Sequence, residues 1–317
     1  MLAVAAYVAM LSLAFDLVFL PFSFYRSHLL EHRYQLSTQP AVRWLKDHLK
    51  SALVGLLFAE AAALFVYTAI VRWPDSWWIA AGIAYSLVLI VLVKLAPVVL
   101  LPMFYRCKPL ENAVLRDRLA ALASKAGTRI SGVYELTLSD RTRKANAALA
   151  GMGQTRRILL SDTLLAGYSD DEIEVILAHE LGHHVHRDIW SAILCDVVLA
   201  FVSLFASSQA LDWAVPVFGL EGPADVAGLP VVLLAVATVE FALRPLLNAL
   251  SRWHERRADA YALTMTSNAS AFISAMRRLG QQNLAEENPS RLVQALFYTH
   301  PPVKERVRAA QNWAPAA

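Results

Sequence analysis

The chain has 317 residues, of which 57% are apolar and only 17% charged, with a mean hydropathy of +0.43. An ordinary soluble domain is nearer half apolar and a quarter charged, so this composition excludes disorder, collagen and coiled coil and points to a membrane protein. The net charge of +3 gives no nucleic-acid footprint, and Cys107 and Cys195 lie far apart with no spacing pattern of a disulfide framework or a Cys-based metal site.

A helix needs about 20 mostly apolar residues to cross about 30 Å of hydrocarbon. Residues 2–22, 51–71, 77–101, 189–211 and 229–250 meet that requirement. The first stretch has no basic leader or small-residue cleavage site and carries Asp16, so it reads as a retained span rather than a signal peptide. Arg26, Arg33, Arg43, Lys46 and Lys50 follow it, whereas residues 212–228 carry Asp212, Glu221 and Asp225 with no Lys or Arg. The positive-inside bias then predicts that the first loop, residues 102–188 and the C-terminal tail are cytoplasmic.

Between the third and fourth spans a small α+β insertion is expected. Leu115, Leu119 and Leu122 give residues 110–126 a helical stripe, and Gly127 follows at the C′ position. Residues 133–138, 145–150 and 157–160 are short enough for strands, with Gly151-Met152-Gly153-Gln154 as the turn between the last two. Beyond the fifth span, helices are expected over 251–266, 269–279 and from Val303, with a polar loop over 281–290. The expected fold class is an all-α polytopic membrane protein with a small α+β insertion containing a short β-sheet. Its expected parts are 1–101, three spans with the basic loop; 102–188, the α+β segment; 189–250, two more spans; and 251–317, the C-terminal helical part of the site.

His179-Glu180-Leu181-Gly182-His183 carries the chemistry. Positions i and i+4 share a helix face, so both imidazoles reach one Zn²⁺, and Glu180 stands beside the metal to take a proton from its water. Ser169 with Glu172 forms a capping box ahead of Ile173, Ile176 and Leu177, which make the buried stripe. A tetrahedral catalytic site needs a third protein ligand. The metzincin extension fails because His186 and Ile189 stand where Gly and His are required, and there is no Asp-Gly pair for an intramembrane ligand motif. What remains is Glu255, on one helix face with Asn248, Arg252 and Asp259. Asp259, one turn on, can orient a ligand histidine through its other ring nitrogen.

Glu60, Lys94, Asp196 and Glu240 lie inside the apolar stretches, where an unpaired charge is costly. They read either as a polar-lined chamber or as local pairs such as Glu240 with Arg244. His184, His186 and His254 read as solvated interfacial residues.

Taken together, these motifs resemble the Ste24-like (M48) membrane zinc metalloproteases, especially the CAAX prenyl protease branch. The resemblance runs through Leu20-Pro21-Phe22-Ser23-Phe24-Tyr25, Lys46-Asp47-His48-Leu49-Lys50, Asn146-Ala147 and Arg157-Ile158-Leu159-Leu160-Ser161-Asp162. The zinc helix, Glu255 with Ala258-Asp259, and His300-Pro301-Pro302 with Glu305-Arg306 complete it in order. The resemblance implies one Zn²⁺ per chain held by His179, His183 and Glu255, with Glu180 catalytic and Asp259 behind a ligand histidine. It also implies that Asn146, His300 and Arg306 lie near the bound peptide. His300 is then the expected oxyanion donor, supported by Arg306. The expected activity is hydrolysis of membrane-associated, CAAX-type peptides, with the lipid bilayer and peptide as partners and no nucleic acid. A quality-control protease of the HtpX-like kind and a non-catalytic zinc-stabilised scaffold are the alternatives.

Overall fold

The computed structural model describes residues 1–314 apart from 96–98, 100, 152 and 287. Helix α1 (Leu2–Phe24) runs through a π-turn at Tyr25–Leu29 into α2 (Leu30–Arg33), and α3 (Ala41–Arg72) and α4 (Trp77–Leu95) follow. Then come α5 (Leu101–Phe104), β1 (Cys107–Pro109), α6 (Ala113–Lys125), β2 (Val133–Leu136), β3 (Ala147–Ala150) and β4 (Arg157–Ser161). The remaining helices are α7 (Asp162–Gly167), α8 (Asp170–Val185), α9 (Asp188–Phe218), α10 (Leu229–Thr266), α11 (Ala269–Gln282), α12 (Arg291–Phe297) and α13 (Val303–Gln311).

Among the described residues five helical segments are long and apolar enough to cross a membrane; four contain their expected spans whole. The third span holds to Leu95; positions 96–98 and 100 of its expected range lie outside the described residues. Helix α10 has 38 residues. At about 1.5 Å per residue it is about 57 Å long, nearly twice a bilayer's hydrocarbon thickness. Its apolar N-terminal half can therefore cross while its polar C-terminal half continues beyond the hydrocarbon.

The chain divides into two compact units. One comprises residues 1–31, 39–91 and 193–243. Its helices close around Ala69, Ile70, Trp77, Ala81 and Leu211, with Val4, Val8 and Tyr67 forming a second cluster. Asp196 and Glu240 line a cavity of about 650 Å³ in this unit together with Phe58, Phe65 and Tyr85.

The other unit comprises residues 32–38, 92–192 and 244–317. It is built on a four-stranded sheet of order β1-β2-β4-β3, parallel between β2 and β4 and antiparallel elsewhere. Leu119, Ile158, Leu160, Leu177, Leu181 and Phe272 fill its core with no exposure. The central strand β4 supplies the first apolar layer and α6, α8 and α11 cover it. Among the described residues strand β3 pairs only with β4, and no strand lies on its other edge.

Local differences from the sequence reading have local causes. Strand β2 stops at Leu136 rather than continuing to Leu138, because the Leu138 and Ser139 amides donate to the Asp162 carboxylate at 2.9 and 3.0 Å and turn the chain away. Strand β3 starts at Ala147 rather than Ala145, the preceding Asn146 amide donating to the Ser161 hydroxyl at 2.9 Å. Gly151 and Gly153 take φ of +90° and +57° in the expected turn, whose Met152 lies outside the described residues. The polar loop over 281–290 is likewise described except at position 287. Strand β1 and helices α7 and α12 have no counterpart in the sequence reading.

Candidate metal centre

The zinc-type motif lies on α8, whose start is fixed by the capping box read from the sequence. The Ser169 hydroxyl accepts from the Glu172 amide at 3.3 Å, and the Glu172 carboxylate accepts from the Ser169 amide at 2.8 Å. Ile173, Leu177, Ala178 and Leu181 bury one side of the helix completely or nearly so. Helix α10 meets α8 at Gly182, where a Cβ would stand 3.0 Å from the Ala258 Cα. Only a residue without a side chain lets two backbones approach so closely, and Glu255 is thereby carried to the histidine pair.

His179 Nε2 and His183 Nε2 are 3.1 Å apart. The Glu255 carboxylate completes a triangle, with Oε2 at 3.4 Å from His179 Nε2 and Oε1 at 3.3 Å from His183 Nε2. For a tetrahedral ion with bonds of about 2.0–2.1 Å, ligand atoms should be about 3.3–3.4 Å from one another. Glu255 Oε2 is buried and has no hydrogen-bond partner among the described residues. A divalent cation would satisfy this orphaned oxygen, so the donor set and its spacing fit zinc.

Each histidine is held from behind by a carboxylate and an arginine. His179 Nδ1 donates to Asp259 Oδ1 at 2.9 Å, and Arg306 Nε donates to Asp259 Oδ2 at 2.8 Å. His183 Nδ1 donates to Asp188 Oδ2 at 2.9 Å, and Arg257 grips the other oxygen of Asp188. Both imidazoles then keep a proton on Nδ1 and turn Nε2 toward the ligand triangle, where a bound cation would take the place of any second proton. Burial works against a charged His179, yet Asp259 and Glu255 outweigh it and push its pKa up to about 9. Burial also pushes the Glu180 carboxyl above its ordinary range, opposed by the neighbouring imidazoles.

The sequence reading includes Asp259 but misses Asp188 and Arg257. Asp188 looks like an ordinary acid in the first turn of a membrane helix, and only the turn after α8 brings it to His183. We expect Asp188→Asn to weaken zinc affinity about 10–100-fold, the usual effect of losing an outer partner of a ligand histidine. Competition with a fluorescent chelator checks this on purified protein.

The expected peptide-side residues gather at a cavity of about 350 Å³ lined by Asn146, His179, Glu180, Tyr298, His300 and Arg306. His300 is exposed, with Nε2 at 3.2 Å from Glu255 Oε1. The Thr299 hydroxyl lies 2.9 Å from His300 Nδ1; its donation there leaves the ring proton on Nε2. Arg306 lies at the back of the cavity, its guanidinium committed to Asp259. Asn248 and Arg252 on α10 reach the carbonyls of Ala295, Gln294 and Tyr298 at 2.7–3.0 Å and so fix the segment that leads to His300. His254 is largely buried rather than solvated, its Nε2 meeting the Ser191 hydroxyl at 3.3 Å. The His186 ring packs edge-on against Tyr261.

The sequence profile described as Peptidase family M48 matches residues 109–314, and the one described as CAAX prenyl protease N-terminal, five membrane helices, matches residues 1–106. The chain belongs to peptidase family M48. It is a membrane metalloprotease of that family; among the described residues three of its candidate membrane helices lie in the part matched by the N-terminal profile and two in the part matched by the peptidase profile. Among M48 relatives, a Bacillus subtilis protein described as an uncharacterized metalloprotease, YhfN, is 30% identical over 310 residues, which cover 96% of this chain and 72% of the relative. CAAX prenyl protease 1 of Saccharomyces cerevisiae is 27% identical over 323 residues, covering 96% and 71%. The crystal structure of S. mikatae Ste24p superposes with a TM-score of 0.89 at 24% identity over 98% of this chain and 76% of that one, which establishes a shared fold.

Proposed function

We propose that this M48 member is a zinc endopeptidase that cleaves membrane-associated peptides on the cytoplasmic side. The observation that carries the reading is the triangle of His179, His183 and Glu255 donors at 3.1–3.4 Å, with Glu180 on the same helix one residue from His179. His179, His183 and Glu255 would hold the zinc. When bound, zinc supplies Lewis acidity toward the peptide carbonyl and lowers the pKa of water to about 7.

The chain's own residues divide the remaining work. The edge of β3 away from β4 offers main-chain hydrogen bonds to an extended peptide, which makes few sequence demands. Asn146, just ahead of that strand, holds the peptide backbone next to the scissile bond. Glu180 accepts the proton of the attacking water and returns it to the leaving amine. His300 Nε2, which meets Glu255 Oε1 at 3.2 Å, would donate to the oxyanion as its charge develops, and Thr299 fixes the ring. Arg306 acts through Asp259 to hold His179 in place.

His300→Ala should keep its zinc and lower kcat about 10²–10³-fold with a smaller change in KM, the usual effect of removing one oxyanion donor. Loss of zinc in that variant would make His300 a ligand instead. The cytoplasmic placement rests on the Lys/Arg bias of the loops. Glu221→Cys should accordingly be labelled by an impermeant thiol reagent from outside the cell, and labelling only after permeabilisation would reverse the topology.

The substrate class is supported by relatives described as CAAX prenyl protease 1. Purified zinc-loaded protein given the same peptide with and without a prenyl group tests it. Faster cleavage of the prenylated form is expected, and equal cleavage of both would favour a general membrane-protein protease.

A further inference from the structure

A second cavity of about 430 Å³ opens on the other side of Glu180. It is lined by Leu149 and Gly151 at the far end of β3, by Glu180 and His183 of α8, and by Arg156 and Arg187. Glu180 lines both this cavity and the one containing Asn146 and His300, so the two form a groove on either side of the reaction centre. Apart from Glu180, no carboxylate lines the second cavity among the described residues.

The two arginines come from different elements and converge on it. Arg156 precedes β4 and is partly buried; burial pulls its pKa down, and among the described residues its guanidinium meets no carboxylate. Arg187 ends the zinc helix in a left-handed conformation, φ +59°, at a position where glycine is usual. Its guanidinium likewise has no acidic partner among the described residues. A cation is favoured at any helix C-terminus, but that accounts for Arg187 alone and not for Arg156.

We infer that this cavity is a cationic subsite for the substrate, accepting acidic side chains on the N-terminal side of the scissile bond. The inference rests on the protease reading above. A peptide added antiparallel to β3 runs with its N-terminal residues beside Leu149 and Gly151 and its C-terminal residues beside Asn146. Residues two or three positions upstream of the bond then face Arg156 and Arg187. These cations are partly exposed, so their effect is on selectivity and on-rate more than on tight binding.

The test uses internally quenched peptides that share one scissile bond and carry Asp or Lys at the second and third upstream positions. A further pair carries the same change downstream. Purified zinc-loaded protein should favour the upstream-Asp peptide over the upstream-Lys peptide by about tenfold in kcat/KM, the scale of two partly screened ion pairs. The downstream pair should differ little. The double variant Arg156→Glu, Arg187→Glu should invert the upstream ratio, and because this is a ratio within one sample, incomplete folding or zinc loading cancels.

An upstream ratio near one, or a ratio unmoved by the double variant, would overturn the subsite while leaving the protease reading intact. A charge preference found only downstream would overturn it as well, since the peptide would run the other way. The double variant altering cleavage only in bilayers containing phosphatidylglycerol would make the arginines a lipid site instead. Cleavage of none of the peptides would refute the protease reading and the subsite with it.

Discussion

Glu180→Gln keeps its zinc and loses about 10²–10⁴-fold in kcat, the range expected when a general base is removed. Glu180 contributes no atom to the ligand triangle of His179, His183 and Glu255, so the substitution leaves the donor set whole. Glutamine has the same shape and can still accept a hydrogen bond, but its amide cannot take a proton from water at neutral pH. The helix is unaffected because its fold rests on Ile173, Leu177 and Leu181, all on the buried side. Zinc content and single-turnover cleavage measured on the same sample separate base from ligand. Near-normal turnover with zinc bound would remove Glu180 from the mechanism.

Glu255→Ala is expected to lose zinc and activity together, by more than the 10–100-fold that an outer partner accounts for. The carboxylate is the one anionic donor in the triangle, and its removal leaves two imidazoles 3.1 Å apart with no charge to balance the cation. Helix α10 should persist, since Ala258, Ala262 and Leu263 keep that face packed. Zinc should therefore raise the melting temperature of the wild type and not of the variant. Unchanged zinc affinity in Glu255→Ala would shift the third ligand to another residue, with His300, at 3.2 Å from the same carboxylate, the first to examine.

The features legible in the sequence are those written in short-range spacing. Apolar runs mark the spans, Ser169 with Glu172 marks the start of α8, and the i, i+4 histidines mark the metal face. Glu255 and Asp259 are legible because their turn-to-turn spacing puts them on one face of α10. What stays hidden depends on long-range placement. Strand β1 is three residues long and ends in Pro109, too short for any periodicity and suited only to an edge. Arg252 looks like one more solvated base until α12 brings its carbonyls within reach. Arg306 is expected near the peptide only through the family resemblance, although a cation in the first turn of α13 opposes the helix dipole and so calls for a compensating charge. The structure supplies the compensating charge from Asp259, 47 residues earlier in the chain. The Asp188–Arg257 pair behind His183 spans 69 residues, and no local pattern connects its members.

Zinc K-edge absorption spectroscopy on the purified protein tests the metal centre most directly. The expected spectrum is that of one zinc per chain with two imidazole nitrogens and oxygen donors at about 2.0–2.2 Å, the imidazole signal halving in His183→Ala. A sulfur shell at about 2.3 Å, or imidazole scattering unchanged in His183→Ala, would contradict the proposed site.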